Sequence, residues 1–495
     1  MTEAGAADPL GDALRALAVA SGRRQAWDAA GRALAAADRV GEAHAAFAEA
    51  VRLAPGDNGL ARRLARAAVA AGQAGPELAR WPPRDGKTPS APGLLIRAHL
   101  LAHLDRLDDA VATAEQAVAA APDCPEAAAE LAELRLLRAP DAAAEAALRR
   151  ALDLNPEDAA LRRSLGRLLL RLYRSAAAGR ELAACLDQLP SDPDLLTDMA
   201  LAELRCGEQT AARRCLEQAL AIDPANRIAS RLLCHVLAYA DGVSTDGLTA
   251  ALRHCAGLWP RGSGHAFPNI PDPERRLRLG LLGGSFCRHP ILWLTLRGLE
   301  GLDRGRFDIH CYAAAGEADA FTSRLREISA GWHPVGGVAD AALARLIRSH
   351  RIDILIDLGG YLDKGRLPVL AQRPAPVQIK WVGAQFHTTA MPEVDWLITD
   401  RFETPPSLAP LYTEQLLVLP DSYVCYDAPE EAPAIGELPA RCNGFVTFGS
   451  FNNLMKITPG AIAVWARLLR QVSESRLLIK APQLGEKEAG RMLLA

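Results

Sequence analysis

The chain of 495 residues is 49% apolar and 23% charged, with a formal net charge of −3 and a pI near 6.4. That length exceeds what one hydrophobic core usually supports, and the balanced charge speaks against a nucleic-acid partner. The acidic start MTEAGAADPLGDAL and the lack of any apolar run long enough to span a bilayer read as a cytoplasmic protein without membrane contact, while ten cysteines with no C-x-x-C pair or zinc-type Cys/His spacing read as reduced thiols, not disulfides or a metal site.

The first elements are helices in a repeat. Pro122, Pro156, Pro190 and Pro224 recur every 34 residues, each closing a run of the type AVAAAP, ALDLNP, CLDQLP or ALAIDP. This is the period of helix–turn–helix units of the tetratricopeptide class, which stack into a solenoid that holds other polypeptides. With each proline set at position 32, Ala110, Ala144, Ala178 and Ala212 fall at position 20, and Ala117, Ala151, Cys185 and Ala219 at position 27. Small side chains are needed there because paired helices approach closely. A unit ending at Pro55 supplies Trp27, Gly31, Ala43, Phe47 and Ala50 in the same frame, which makes five units. The 67 residues from Pro55 to Pro122 are nearly two periods, but Trp81-Pro82-Pro83 and DGKTPSAPG cannot continue a helix, so a degenerate unit or an interrupting loop is expected. His44, His99 and His103 are expected to pack or to face solvent. Residues 1–258 thus read as an α-solenoid whose partners or substrates are proteins.

Residues 259–275, rich in Gly, Pro and charge, read as a linker. Strand-like runs follow at Arg276–Gly284, Phe307–Ala314, Asp353–Tyr361, Val377–Gly383, Trp396–Asp400 and Gln415–Pro420. Helical patterns alternate with them, which predicts a mostly parallel sheet, covered on both faces, over residues 276–440. Ligands of such sheets sit at the carboxyl ends of the strands. The loops there are Gly283–Pro290, Gly359–Gly365 and Gly383–Thr389, each combining glycine with polar side chains suited to a phosphorylated or hydroxylated ligand. From residue 441 a second unit of the same kind begins. Its strand Phe445–Phe448 leads through Asn453 and Lys456 to Thr458 and Pro459, good N-cap and first-turn residues for a helix Gly460–Leu469 whose start could receive an anion. Lys456 would add a full charge against a departing diphosphate.

In these segments the sequence resembles the bacterial relatives of protein O-linked N-acetylglucosaminyltransferase, the family 41 glycosyltransferases, which join tetratricopeptide repeats to a two-domain GT-B catalytic region. The resemblance runs from the repeats to Ala481 and is most specific in RPAPVQIKWVG (Arg373–Gly383) and FGSFNNLMKI (Phe448–Ile457). It implies an α-solenoid followed by an α/β Rossmann-like domain, with an incomplete second Rossmann-like domain over residues 441–495. It also implies transfer of N-acetylglucosamine from its uridine diphosphate sugar to Ser or Thr of proteins, with inversion and without cofactor or metal. His289 stands at the histidine of the family's D-F-x-x-H-P motif, where it would orient the acceptor hydroxyl or accept its proton. Lys456 matches the lysine that contacts the donor diphosphate, Asn453 a neighbouring amide residue, and Lys364 with Gly365 a loop that faces the sugar in some relatives. The second half contains no Asp-x-Asp pair, in agreement with a metal-free mechanism.

The pattern also departs from the family. Ser285 replaces the motif's aspartate, and the usual G-Y-P-G-T loop is Gly383-Ala384-Gln385-Phe386-His387-Thr388. No H-x-x-x-x-D or P-Y-N-G segment of the nucleotide pocket occurs in the second half, and the position that carries an asparagine ladder in relatives holds Ala29, Ile96, Glu130, Ser164 and Asp198. Two further readings therefore stand beside the enzyme: a catalytically inactive repeat scaffold with a truncated glycosyltransferase remnant, and an enzyme of guanosine diphosphate fucose, the donor of plant relatives.

Overall fold

A computed structural model of the chain describes residues 9–81, 90–262, 266–313, 318–361, 365–384, 387–426, 428 and 432–485. Its internal contacts divide it into two compact units, one of the described residues up to Pro190 and one from Ser191 to Pro482.

The first unit is helical: α1 (Pro9–Val19), α2 (Arg24–Ala36), α3 (Val40–Leu53), α4 (Asn58–Ala70), α5 (Ala74–Arg80), α6 (Ala91–His103), α7 (Leu107–Ala120), α8 (Pro125–Arg138), α9 (Ala142–Leu154), α10 (Ala159–Arg171) and α11 (Ser175–Leu186). One signal starts many of the repeat helices. Two residues after a repeat proline stands a side chain that caps the next helix: Asp57 accepts from the Leu60 N–H, and Asp158 from those of Ala160 and Leu161. Within a unit the turn between helices is left-handed at position 15, with φ of 58° at Asp38, 57° at Asp105 and 58° at Tyr173. The alanines expected at helix crossings, from Ala43 and Ala50 to Ala144 and Ala178, are all buried. A Cβ at Gly31 would lie 2.7 Å from the Phe47 ring, and one at Gly166 would lie 2.8 Å from Leu182, so these crossings tolerate no added carbon. Between Pro55 and Pro122 the structure holds a shortened unit: α4 has 13 residues, and α5 stops after 7 at Arg80, just before the Trp-Pro-Pro run.

The second unit opens with four more helices, α12 (Pro193–Cys206), α13 (Gln209–Ile222), α14 (Arg227–Tyr239) and α15 (Thr245–Gly257), capped by Asp192 at α12 and Asn226 at α14 in the same way. The connecting segment is anchored rather than loose. Trp259 is buried with its ring centroid 5.7 Å from that of Tyr361, and the Asn269 amide donates to the carbonyls of Arg351 and Ile352 and to the Asp353 carboxylate.

Then come β1 (Leu277–Gly283), α16 (Pro290–Glu300), β2 (Phe307–Ala313), α17 (Ala320–Glu327), β3 (Gly331–Pro334), α18 (Asp340–Ser349), β4 (Ile354–Asp357), α19 (Leu367–Leu370), β5 (Val377–Lys380), β6 (Trp396–Asp400) and β7 (Gln415–Leu419). The sheet order is β3-β2-β1-β4-β5-β6-β7 and every pair is parallel. Strand β3 is the one the sequence pattern does not announce. Gly-Trp-His-Pro has no β-branched residue, and Gly331 is there because a Cβ would lie 2.6 Å from the His310 ring. After α20 (Pro439–Asn443), β8 (Thr447–Ser450), α21 (Pro459–Gln471) and β9 (Arg476–Ile479) form a second, two-stranded parallel sheet with its crossover helix. Two strands leave much apolar surface uncovered: no α21 residue is buried, and Ile462, Val464 and Leu478 are exposed.

Within the repeats, Glu130 stands at position 6 of the unit that ends at Pro156. It is 1% exposed, receives Arg62 Nε at 3.0 Å and lies 2.9 Å from His99 Nδ1. Burial pushes its carboxyl up, but the hydrogen bond and charge of His99, with Arg62, outweigh that and hold it below the ordinary glutamate range. Glu130→Ala should therefore destabilise the repeat unit by about 2 kcal/mol in urea denaturation, because it removes the buried carboxylate that Arg62 and His99 share and leaves Arg62 only the more exposed Glu133, 2.9 Å away. A carboxyl with a depressed folded value stabilises above its unfolded value, about pH 4.3, and loses that contribution as pH falls through the folded value. Wild-type and Glu130→Ala melting temperatures are accordingly expected to converge in strongly acid solution.

Candidate active site

The order of the seven-stranded sheet reverses between β1 and β4, so the loops after these strands leave in opposite directions and open a crevice at the carboxyl edge. The loop after β1 turns over Phe286, whose ring would lie 2.7 Å from a Cβ at Gly283. It ends at His289, which N-caps α16. There the Ile291 N–H donates to His289 Nδ1 at 3.2 Å. A neutral imidazole that accepts at Nδ1 carries its proton on Nε2, so from Nε2 this histidine donates. The arrangement favours orienting an oxygen over removing a proton from it.

The loops after β4 and β5 are interlocked. Gly360 and Gly383 have φ of 55° and 50°, and a Cβ on either would strike the other's loop: the Gly383 carbonyl in one case, the Leu358 carbonyl in the other. Beneath them lies a buried ion pair between register partners on adjacent strands. Asp357 is 0% and Lys380 1% exposed, with Lys380 Nζ 3.3 Å from Asp357 Oδ2. The same ammonium donates to the carbonyls of Trp381 and Val382, and the Asp357 carboxylate accepts from the N–H groups of Gly359 at 3.3 Å and Gly360 at 2.7 Å. Burial pulls the Lys380 ammonium below its ordinary value and Asp357 opposes the shift. The pair was not singled out in the sequence. A lysine at a buried strand position was the available signal, but only the register shows its partner.

Tyr361 is next in the chain, with its hydroxyl donating to the Thr389 carbonyl at 2.8 Å and its own carbonyl 2.6 Å from His235 Nε2 on α14. Gly365 packs against Gly359, its Cα 3.0 Å from where a Cβ there would stand, while Lys364 lies outside the described residues, as do Gln385 and Phe386. Beyond these, the buried Glu414 carboxylate accepts from the Thr388 hydroxyl at 2.7 Å and the Thr389 N–H at 2.6 Å, which fixes these two residues.

In the second sheet, Asn453 caps a 3-10 turn, Leu454–Lys456, by accepting from the Met455 N–H at 3.1 Å. Lys456 is exposed, with Nζ 5.5 Å from the centroid of the Tyr239 ring on α14. The start of α21, which the sequence offers to an anion, holds a carboxylate of the chain itself: Asp241 accepts from the Thr458 hydroxyl at 2.9 Å and the Gly460 N–H at 2.8 Å. At the carboxyl ends of β8 and β9 lies a cavity of about 410 Å³ lined by Phe451, Lys480, Ala481 and Pro482. Lys480 is a cation there that sequence reasoning passed over. The candidate residues thus fall in two places, His289 and Gly365 on loops flanking the switch point, Asn453 and Lys456 on one short turn. Among the described residues no three His, Cys, Asp or Glu side chains converge as metal ligands would, and no helix is long and apolar enough to cross a membrane.

Residues 263–435 match the model of the family described as Glycosyl transferase family 41. The "Probable UDP-N-acetylglucosamine--peptide N-acetylglucosaminyltransferase SPINDLY" of Petunia hybrida is 37% identical over 272 residues, 54% of this chain and 29% of that protein. The UDP-N-acetylglucosamine--peptide N-acetylglucosaminyltransferase of Caenorhabditis elegans is 31% identical over 156 residues, 31% of this chain and 13% of that protein. Among solved structures, a mutant of the Thermobaculum terrenum O-GlcNAc transferase is 29% identical with a TM-score of 0.59, over 83% of this chain and 72% of that one. The chain therefore resembles O-GlcNAc transferases in joining tetratricopeptide-type helices to a glycosyltransferase region, and it spans less than a third of the length of the Petunia relative.

Removing one member of the buried pair should be worse than removing both. Lys380→Met leaves Asp357 without its cation and is expected to cost about 3 kcal/mol in urea denaturation, whereas Asp357→Asn combined with Lys380→Met should cost clearly less.

Proposed function

We propose that this chain comprises the repeat and catalytic-core part of a protein O-glycosyltransferase, which moves N-acetylglucosamine from its uridine diphosphate sugar to Ser or Thr hydroxyls of proteins, with inversion and without a metal. The observation that carries the reading is the switch-point crevice with His289 at its rim, inside the segment that matches the family 41 model. In this reaction the acceptor oxygen attacks the anomeric carbon from the face opposite the diphosphate, the sugar–phosphate bond breaks, its electron pair leaves with the diphosphate, and the hydroxyl proton passes to solvent water. His289 Nε2–H holds an oxygen of the acceptor or the sugar in line. Lys456 and the Lys480 ammonium offset the charge that develops on the leaving group. Protein clients approach along the repeat helices.

Isothermal titration of the full chain with the uridine diphosphate sugar, followed by transfer to a serine-containing protein, tests the reading. Saturable binding and transfer that persists in a chelator are expected, with His289→Ala lowering the transfer rate roughly a hundredfold. Saturation by guanosine diphosphate fucose alone would replace the donor, and no saturable binding of either nucleotide sugar would leave the repeat scaffold as the function.

A further inference from the structure

We infer that Gln209, at the start of α13, and Asp241, just beyond α14, are positioning residues for the segment that carries Asn453 and Lys456, so that the end of the repeat region is a working part of the donor site. The role rests on the proposed function, because Lys456 is taken as a ligand of the donor diphosphate. The clamp itself rests on geometry alone.

Three contacts fix the segment. The Gln209 amide, 6% exposed at the start of α13, donates to the carbonyls of Met455 and Ile457 at 3.1 Å each, which pins the backbone on both sides of Lys456. Leu454 and Ile457 bury their side chains at 1% and 4% exposure while Lys456 between them stays at the surface, so burial of the neighbours settles which side chain is presented. Gly207, left-handed at φ 94° between α12 and α13, comes close as well, since a Cβ there would lie 3.7 Å from the Leu454 carbonyl. The third contact is Asp241, just beyond α14. Both of its oxygens are engaged, one by the Thr458 hydroxyl and one by the Gly460 N–H. A Cβ on Gly460 would stand 2.7 Å from Asp241 Oδ2, so position 460 admits no side chain while the carboxylate is in place.

The physical need is plain. A lysine on an exposed 3-10 turn has four rotatable bonds, and a turn this short does not hold itself rigid. Bonds to the two carbonyls flanking it, together with a carboxylate at the following helix start, fix the backbone from which that side chain reaches. The carboxylate also satisfies the positive end of α21, so the donor's phosphates meet the Lys456 cation and not the helix terminus.

The experiment uses the full chain with Asp241→Ala, Asp241→Asn, Gly460→Ala and the Asp241→Ala/Gly460→Ala double variant. Hydrogen exchange reads the amides of residues 455–461, and titration with uridine diphosphate reads the donor site. Asp241→Ala is expected to speed exchange at Gly460 and Ala461 roughly tenfold, as loss of a helix cap does. Uridine diphosphate binding should weaken by about fivefold or more, and Asp241→Asn, which keeps an acceptor, should restore most of both. Gly460→Ala should reproduce the defect in the wild-type background and add nothing in Asp241→Ala, because the carboxylate it collides with is gone. Unchanged exchange in Asp241→Ala overturns the clamp. Faster exchange with unchanged uridine diphosphate binding overturns the positioning role alone. No saturable binding by the wild type overturns the donor reading, and the positioning role falls with it.

Discussion

A full charge buried at the carboxyl end of a central pair of parallel strands must be met by an opposite one and by hydrogen bonds, or the sheet does not form there. Lys380 is that charge. Its partner Asp357 sits directly across the β4–β5 ladder, and the remaining valences of both are taken up by the loops that leave the two strands. The pair therefore does more than neutralise itself. By accepting from the N–H groups of Gly359 and Gly360 and donating to the carbonyls of Trp381 and Val382, it sets the path of both loops at the point where they enter the crevice. The positive φ of Gly360 and Gly383, and the contact between their backbones, result from that path. Whatever ligand the crevice takes, it meets walls whose shape is decided one layer below.

The helices of the second unit extend the same logic outward. Tyr361, in the loop that leaves β4, is gripped from the helical side by His235 at its carbonyl and by Trp259 against its ring. The turn carrying Lys456 is gripped by Gln209 and Asp241. Two elements of the α/β region that carry candidate site residues thus take their positions from α13, the residues around α14, and the segment after α15. Composition marks that segment as a linker, yet its Asn269 and Trp259 are committed to the sheet. Proline and glycine content reports how a chain turns, not whether it is free, and here the turns bring polar side chains to carbonyls at strand ends.

Much of this was legible in the sequence because it depends on spacing. The 34-residue proline period and the alanines at crossings are local signals, and the structure places each where the period requires, with an Asp or Asn two residues after Pro55, Pro156, Pro190 and Pro224 capping the next helix. Runs of Leu, Ile and Val marked β1, β2 and β4 to β7. The features that escaped depend on long-range partners. Strand β3 forms because β2 offers it an edge, not because Gly-Trp-His-Pro prefers extension. Lys380 stands at a strand position without a visible counter-charge until Asp357 is set beside it across the ladder. The start of α21 looks like an anion site until Asp241, more than 200 residues earlier in the chain, is found occupying it. His289 and Lys456 were candidates from motifs, but the tautomer of one and the surroundings of the other were not legible there.

In the repeat helices a position suited to recognition is turned to internal use. A ladder of asparagines can grip a peptide backbone because each amide offers both a donor and an acceptor toward the groove. At the corresponding positions here Ala29 and Ile96 offer neither, the Glu130 carboxylate is engaged by Arg62 and His99, and the Ser164 hydroxyl donates back to the Ala160 carbonyl. Glu130 in particular cannot serve a client without giving up the cation that makes its burial tolerable, and that exchange is unfavourable in a site closed to water.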